Sequence, residues 1–330
     1  MPTSWIEYSR HYEQFTVTMS APVASLQNRL LAVALRFALR LLAHSGPFTK
    51  ADLPVILSNQ LERIMNLPGG LPFFPTAPVS ADTVGRLLSK LHPVKCSKPL
   101  IRLGPNGDGG YLVPDDLEGI KACFSPGVGM VAGFELDCAE RGMSVYLADG
   151  SVSKPPVDHP RFRFVQKFIG DRTRGDTLAL GEWVEEALGD SGGDLLLQMD
   201  IEGSEYGTLL ATSSRVLARF RIIAIELHDL ELLFSAPVFG FYRQVFEKLL
   251  DTHTCVHIHP NNYCPPFTVG GLEALSVAEF TFLRKDRVLE PVFADAFPHK
   301  LDQDNTGKPG FPLPRSFYRA ASRNVPDNGS

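Results

Sequence analysis

The sequence predicts an α/β fold built on a mostly parallel sheet whose last strand runs antiparallel. Three observations carry this. From Lys121 onward, strand, turn and helix patterns alternate, the order that builds a parallel sheet covered on both faces. The strand segments are short, nearly unbroken apolar runs, as buried strands are. The final strand pattern, ALSVAEFTFLRK from Ala274 to Lys285, follows its predecessor through NNYCPPFTVGGLE. That leaves no room for the crossover helix a parallel neighbour needs.

The elements follow in order. KACFS (Lys121 to Ser125) is the first strand, PGVGM the turn after it, and AGFELDCAERG the first helix. SVYLAD (Ser144 to Asp149) is the second strand and RFRFVQKFI (Arg161 to Ile169) the third. A helix is expected across DTLALGEWVEEAL with Asp176 as its N-cap, because a side-chain oxygen there satisfies a free N–H of the first turn. DLLLQM, RIIAIEL and TCVHIH are the fourth, fifth and sixth strands, with helices between them. This core domain covers residues 101–290, after a helical extension over 1–100 and before an irregular tail over 291–330.

Composition narrows the function classes. The chain has 330 residues, 44% hydrophobic and 21% charged, enough for a large core. Its 32 basic and 37 acidic residues are interspersed and sum to −5, so no basic field exists for nucleic acid. Five scattered cysteines without a CxxC pair argue against a disulfide framework or structural zinc and fit a reducing, cytoplasmic setting. In the extension, residues 24–44 have helical periodicity, with Arg29, Arg36 and Arg40 on one face of an otherwise apolar helix. Such a helix packs on the protein body or on a second subunit, which would make a homo-oligomer; the alternative is peripheral contact with an anionic membrane. The Pro- and Gly-rich stretch from Asn66 to Pro78 reads as a connector.

The motifs gather where strands end. Gly127 and Gly129 stand between the first strand and first helix, where glycine lets backbone approach a ligand and a helix N-terminus offers free N–H groups. Asp149 ends the second strand 20 residues after Gly129, a position from which a carboxylate accepts ribose hydroxyls. Together they point to an adenosine-bearing cofactor. Gly127, Gly129 and Ala132 also satisfy G-x-G-x-x-A, so an NAD-dependent oxidoreductase stands as an alternative. The fourth strand ends in DIEGSEY, placing Asp200, Glu202 and Glu205 within six residues. An Asp at the end of a buried strand is costly unless paired or solvated in a cleft. Glu202 and Glu205 open the next helix, where the dipole favours acids.

The combination FSPGVGMVAGFELD, YLAD, LQMDIEGSEY, IELHDL and VHIHPNN resembles the FkbM-type family of S-adenosylmethionine-dependent methyltransferases, with a DGGY segment upstream, within the stretch Gly107 to Tyr111. The resemblance runs from about Ile101 to Lys285. It implies a Rossmann-like class I methyltransferase fold with a seven-stranded sheet, S-adenosyl-L-methionine as cofactor, and methyl transfer to a hydroxyl of a small molecule or sugar. By position, Gly127 and Gly129 would face the methionine moiety, Asp149 the ribose, and Asp200 both cofactor and acceptor. Ser125 departs from the family's usual acid two residues before the glycine, and Glu135 in the first helix is the group that could compensate.

Ligands of open α/β sheets bind outside the carboxyl ends of the strands, so Asp149, Asp200, Glu226, His228 and His259 should converge there, with Asn261 and Asn262 beside His259. His228 or His259 could take the acceptor's proton, with Asp200 or Glu226 orienting the imidazole. Alternatively Asp200, Glu226 and His228 could hold a divalent cation that acidifies the hydroxyl. His257 and the DGGY turn carry structural expectations, the latter a hairpin with an anchoring aromatic. A third reading is a non-catalytic methyltransferase-like interaction protein acting through the N-terminal helix.

Overall fold

The structure, a computed structural model, describes residues 78–189, 191–289 and 291–319. The predicted helix over 24–44 and all of the connector but Pro78 lie outside the described residues.

Helix α1 (Ala81–Ser89) begins at Ser80, whose side chain accepts from the Thr83 N–H, and buries Val84, Leu87 and Leu88 on one face. Strands β1 (Leu100–Leu103) and β2 (Tyr111–Pro114) form an antiparallel hairpin that pairs Leu103 with Tyr111. DGGY is therefore the hairpin turn it was expected to be. Then come β3 (Ile120–Pro126), α2 (Gly133–Glu140), β4 (Ser144–Ala148) and β5 (Phe162–Val165). They are followed by β6 (Phe168–Gly170), β7 (Thr177–Ala179), α3 (Leu180–Leu188), β8 (Asp194–Met199), α4 (Glu205–Ala211) and α5 (Ser214–Leu217). The last part holds β9 (Phe220–Leu227), α6 (Ala236–Thr252), β10 (His253–Pro260), β11 (Phe267–Val269), β12 (Leu272–Ala274) and β13 (Ala278–Arg284).

Seven strands form the central sheet in the order β10-β13-β9-β8-β3-β4-β5. The pairs among β3, β4, β5, β8 and β9 are parallel, and β13 is antiparallel to both β9 and β10. This is the Rossmann-like fold with an inserted antiparallel last strand that the sequence predicted. All eight residues of β9 are buried, the apolar Ile222–Ile225 stretch together with Arg221 and Glu226 on either side of it.

Two local expectations fail. RFRFVQKFI is not one strand: β5 ends at Val165, and Phe168–Gly170 leaves the main sheet to pair in parallel with Thr177–Ala179. Asp176 is not an N-cap, because those three residues are extended and the helix starts only at Leu180 after Ala179. Polar Gln166 and Lys167 break the apolar run, and pairing with β6 prevails over the local capping signal.

Candidate active site

Strand register builds the site. On β10 and β13, His259 lies opposite Glu279, and on β13 and β9, Glu279 lies opposite Glu226. Met199 lies opposite Ile225, so Asp200 continues the row one step on, and its N–H donates to the Pro126 carbonyl just before Gly127. Pro126 in turn pairs with Ala148, which precedes Asp149. Neighbouring residues in register share a sheet face. One row therefore crosses the carboxyl ends of the parallel strands as Asp149, Gly127, Asp200, Glu226, Glu279 and His259. Five of these were expected from the sequence. Glu279 was missed, although a lone acid inside the apolar strand AEFTFLR was the signal for it.

At the glycine end, two glycines do different work. A Cβ on Gly127 would lie 1.6 Å from the Asp200 carbonyl oxygen, and its φ is +88°, so the close approach of two strand ends requires glycine. Gly129, with φ +51°, faces open space: a Cβ there would meet nothing within 4 Å, as suits a ligand-facing turn. Asp149 is buried and ties this turn together: Oδ2 accepts from the Gly129 N–H at 2.8 Å, and Oδ1 accepts from the Ser151 N–H and hydroxyl at 2.7 and 2.6 Å.

Ser125 is fully buried, 2.5 Å from Glu135 Oε1 and 2.8 Å from Gln198 Oε1. Its one hydroxyl proton can serve one of these acceptors; a protonated Glu135 supplies the other contact. Burial pushes the Glu135 carboxyl up to about 7, and the Ser125 hydrogen bond only partly offsets this. Glu135 thus reaches from α2 to the position where the acid of the resembled family is replaced by serine.

At the centre, Asp200, Glu226 and His228 present ligand atoms within 4.8 Å of one another. Asp200 Oδ1 is buried without a hydrogen-bond partner, 3.9 Å from His228 Nε2. Burial first, then the charge of Glu226, hold the Asp200 carboxyl well above the usual range. Glu226 is raised to about 7 by burial, although His228 and the 2.5 Å hydrogen bond from Asn261 act the other way. Glu205 begins α4, as the acid of a helix start should, but it is also fully buried. Its Oε1 accepts from the N–H groups of Ile201 and Gly203, both at 3.0 Å, and lies 3.2 Å from His228 Nδ1. Burial works against charge on His228, yet Glu205, Asp200 and Glu226 outweigh it and raise its pKa to about 10. Glu202 Oε2 lies 3.6 Å from His228 Nε2. Glu202 and Asp229 are the non-glycine residues with positive φ among the described residues, at 54° and 55°. Left-handed backbone costs such residues about 1–2 kcal/mol each, and here it flanks the carboxylate–histidine cluster on both sides.

The hairpin lies over this row. Tyr111 is buried against Phe134 edge-on at 5.8 Å, and burial, then the charges of Asp200, Glu226 and Glu279, push its phenol well above 10. At the far end, Glu279 is buried and accepts from Asn305 at 2.7 Å, and Asn262 clamps the tail through Thr306 and Lys308. His257, expected to be structural, is buried with Nε2 2.8 Å from Asp302 Oδ1. Sequence reasoning missed the contributions of the tail, because it has no periodicity to read.

Residues fit for a cofactor or metal follow from these atoms. The open face of Gly129 and the carboxyl of Asp149 suit an adenosine-bearing group, since each carboxylate oxygen accepts more than one hydrogen bond. The orphaned Asp200 Oδ1, with Glu226 and a histidine backed by a carboxylate on its other nitrogen, is a donor set that fits a divalent cation.

Residues 135–251 match the family model of the methyltransferase FkbM domain. No curated protein matches the chain. Among solved structures, a protein of Anabaena variabilis ATCC 29413, described as a methyltransferase from an antibiotic biosynthesis pathway, is 12% identical with a TM-score of 0.24. The match covers 46% of this chain and 62% of that one, and at that score it carries no weight for fold or activity. Among the described residues, no helix is long and apolar enough to cross a membrane. The matched stretch, residues 135–251, runs from the first turn of α2 nearly to the end of α6 and is similar to the methyltransferase FkbM domain.

Proposed function

We propose that the protein is an S-adenosyl-L-methionine-dependent O-methyltransferase acting on a hydroxyl of a small molecule or sugar. The observation that carries this reading is the register row, which sets the Gly129 turn and Asp149 beside the unpartnered Asp200 Oδ1. The cofactor, when bound, supplies a methyl group activated for in-line displacement. The chain's part is to bind, orient and hold a proton. Gly129 and Asp149 receive the cofactor end. Asp200 Oδ1 accepts the hydrogen bond of the acceptor hydroxyl and orients its oxygen. His228, paired with Glu205 and facing Asp200, keeps that carboxylate in place, while Tyr111 and the hairpin exclude water from the row.

A second reading of the centre is favoured by the three-residue donor set: Asp200, Glu226 and His228 would hold a divalent cation that lowers the hydroxyl's pKa. Chelation that leaves turnover unchanged would remove it. For the NAD alternative, only the glycine spacing speaks. Calorimetry with S-adenosylhomocysteine and NAD side by side tests the main proposal. The expected result is binding of S-adenosylhomocysteine alone; binding of NAD alone would sink it.

A further inference from the structure

His259 and its neighbours lie outside the matched domain, which ends at residue 251. They hold a second set of unpartnered polar atoms, apart from Asp200 Oδ1. His259 is 5% exposed, and its Nε2 is buried with no hydrogen-bond partner. Its Nδ1, also buried and beyond hydrogen-bond distance of any partner, lies 3.6 Å from Asp302 Oδ2, the nearest carboxylate oxygen. Asp302 is firmly fixed: Oδ1 sits 2.8 Å from His257 Nε2, and Oδ2 accepts from the His299 N–H at 2.7 Å. Asn305 Oδ1 is likewise buried and unpartnered. Its amide orientation is settled by Nδ2 donating to Glu279 Oε1 at 2.7 Å, because a carboxylate calls for a donor. With a proton on Nδ1 directed at the Asp302 carboxylate, the two remaining unmet atoms, His259 Nε2 and Asn305 Oδ1, are acceptors. Buried acceptors without donors mark a missing partner, and the complement of an acceptor pair is a hydroxyl-bearing group.

We infer that Asp302, delivered by the C-terminal segment, is a positioning residue that holds His259 by Nδ1, and that His259 Nε2 and Asn305 Oδ1 form the subsite for a polyol or sugar acceptor. The inference rests on the methyltransferase reading for the identity of the reaction. In it, a non-reacting O–H of the acceptor donates to Nε2 and fixes the molecule's far end, while the reacting hydroxyl meets Asp200 Oδ1 three strands along the row. The groups facing the imidazole are Glu279 from β13 and Asp302 and Asp304 from the tail, with Arg102 of β1 acting on Glu279 and Asp302. Burial opposes the imidazole's charge and these acids outweigh it, so its pKa is raised.

The test uses the full chain labelled with ¹⁵N-histidine. The expected result is an Nδ1–H tautomer for His259 in the wild type and a titration midpoint moved to lower pH in Asp302→Asn. His257→Gln, which removes the other partner of Asp302 and keeps the His259 contact, should move that midpoint less. An Nε2–H tautomer, or a midpoint unmoved in Asp302→Asn, would overturn the positioning role. With radiolabelled cofactor and a panel of monosaccharides and polyols, kcat/KM for a methylated member should fall about tenfold or more in Asp302→Asn and recover in Asp302→Glu. Absence of any methylated member in the wild type would overturn the hydroxyl subsite. S-adenosylhomocysteine binding in the same samples separates the two claims: its loss in the wild type would defeat the methyltransferase reading, whereas the tautomer decides the Asp302–His259 pair independently.

Discussion

The two ends of the central sheet use the same residue types to opposite effect. At the amino end, carboxylates meet arginines. Arg221 donates to Asp194 at 2.7 Å and to the carbonyls of Asp116 and Glu118, Arg284 bridges Asp194 and Asp286, and Arg287 grips Asp116 through two 2.7 Å hydrogen bonds. At the carboxyl end, Asp200, Glu226 and Glu279 crowd one another, and two are raised to about 7 while Asp200 rises well above its usual range. Asp194, although burial pulls it upward, is held below its usual range by Arg284 and Arg221. Paired acids stabilise a fold; acids left short of partners cost stability and are retained where a ligand completes them. The difference separates acids that hold the sheet from acids that work at its edge.

The comparison can be broken at either end. The largest effect is expected at the amino end, where Arg221→Ala would leave the Asp116 and Glu118 carbonyls without their donor and Asp194 with Arg284 alone. A buried acceptor left unmet costs about 1–3 kcal/mol, so chemical denaturation should show a clear fall in midpoint with little change in S-adenosylhomocysteine affinity per folded molecule.

A smaller effect of opposite sign is expected from Glu135→Gln. The folded Glu135 carboxyl titrates near 7, above its ordinary value of 4.5. The folded state therefore binds this proton more tightly, and its contribution is fully present below about 4.5 and is lost as pH rises through about 7. Glutamine cannot lose a proton, so the variant should gain on the wild type between pH 5 and pH 8. The gain is on the order of 1 kcal/mol, read as a Tm difference of about 2–4 °C. A difference that is flat across that range would mean Glu135 is not the buried acid described here.

How far the sequence revealed all this depended on how local each cause was. DLLLQM and RIIAIEL appear as β8 and β9 nearly to the residue, because a strand buried on both faces is apolar through its middle and keeps polar groups near its ends. Asp149, Gly127, Gly129, Asp200 and Glu226 were legible because strand ends are marked by such breaks. Glu279 was not, since its meaning comes from lying opposite both Glu226 and His259, a matter of register rather than pattern. Asp302 and Asn305 were hidden for a further reason: they act across 45 and 26 residues of chain on His257 and Glu279, from a segment with no helix or strand to place them. Misreading RFRFVQKFI as one strand had the same origin, a tertiary pairing between β6 and β7 that no local propensity announces.

The central claim is that the half-buried acids at the two ends differ in kind, and thermal unfolding of Asp194→Asn and Asp200→Asn at neutral pH tests it most directly. The account predicts opposite signs: Asp194→Asn lowers Tm by removing the partner of two arginines, whereas Asp200→Asn raises Tm and abolishes methyl transfer. A loss of Tm in both variants, or full turnover in Asp200→Asn, would contradict it.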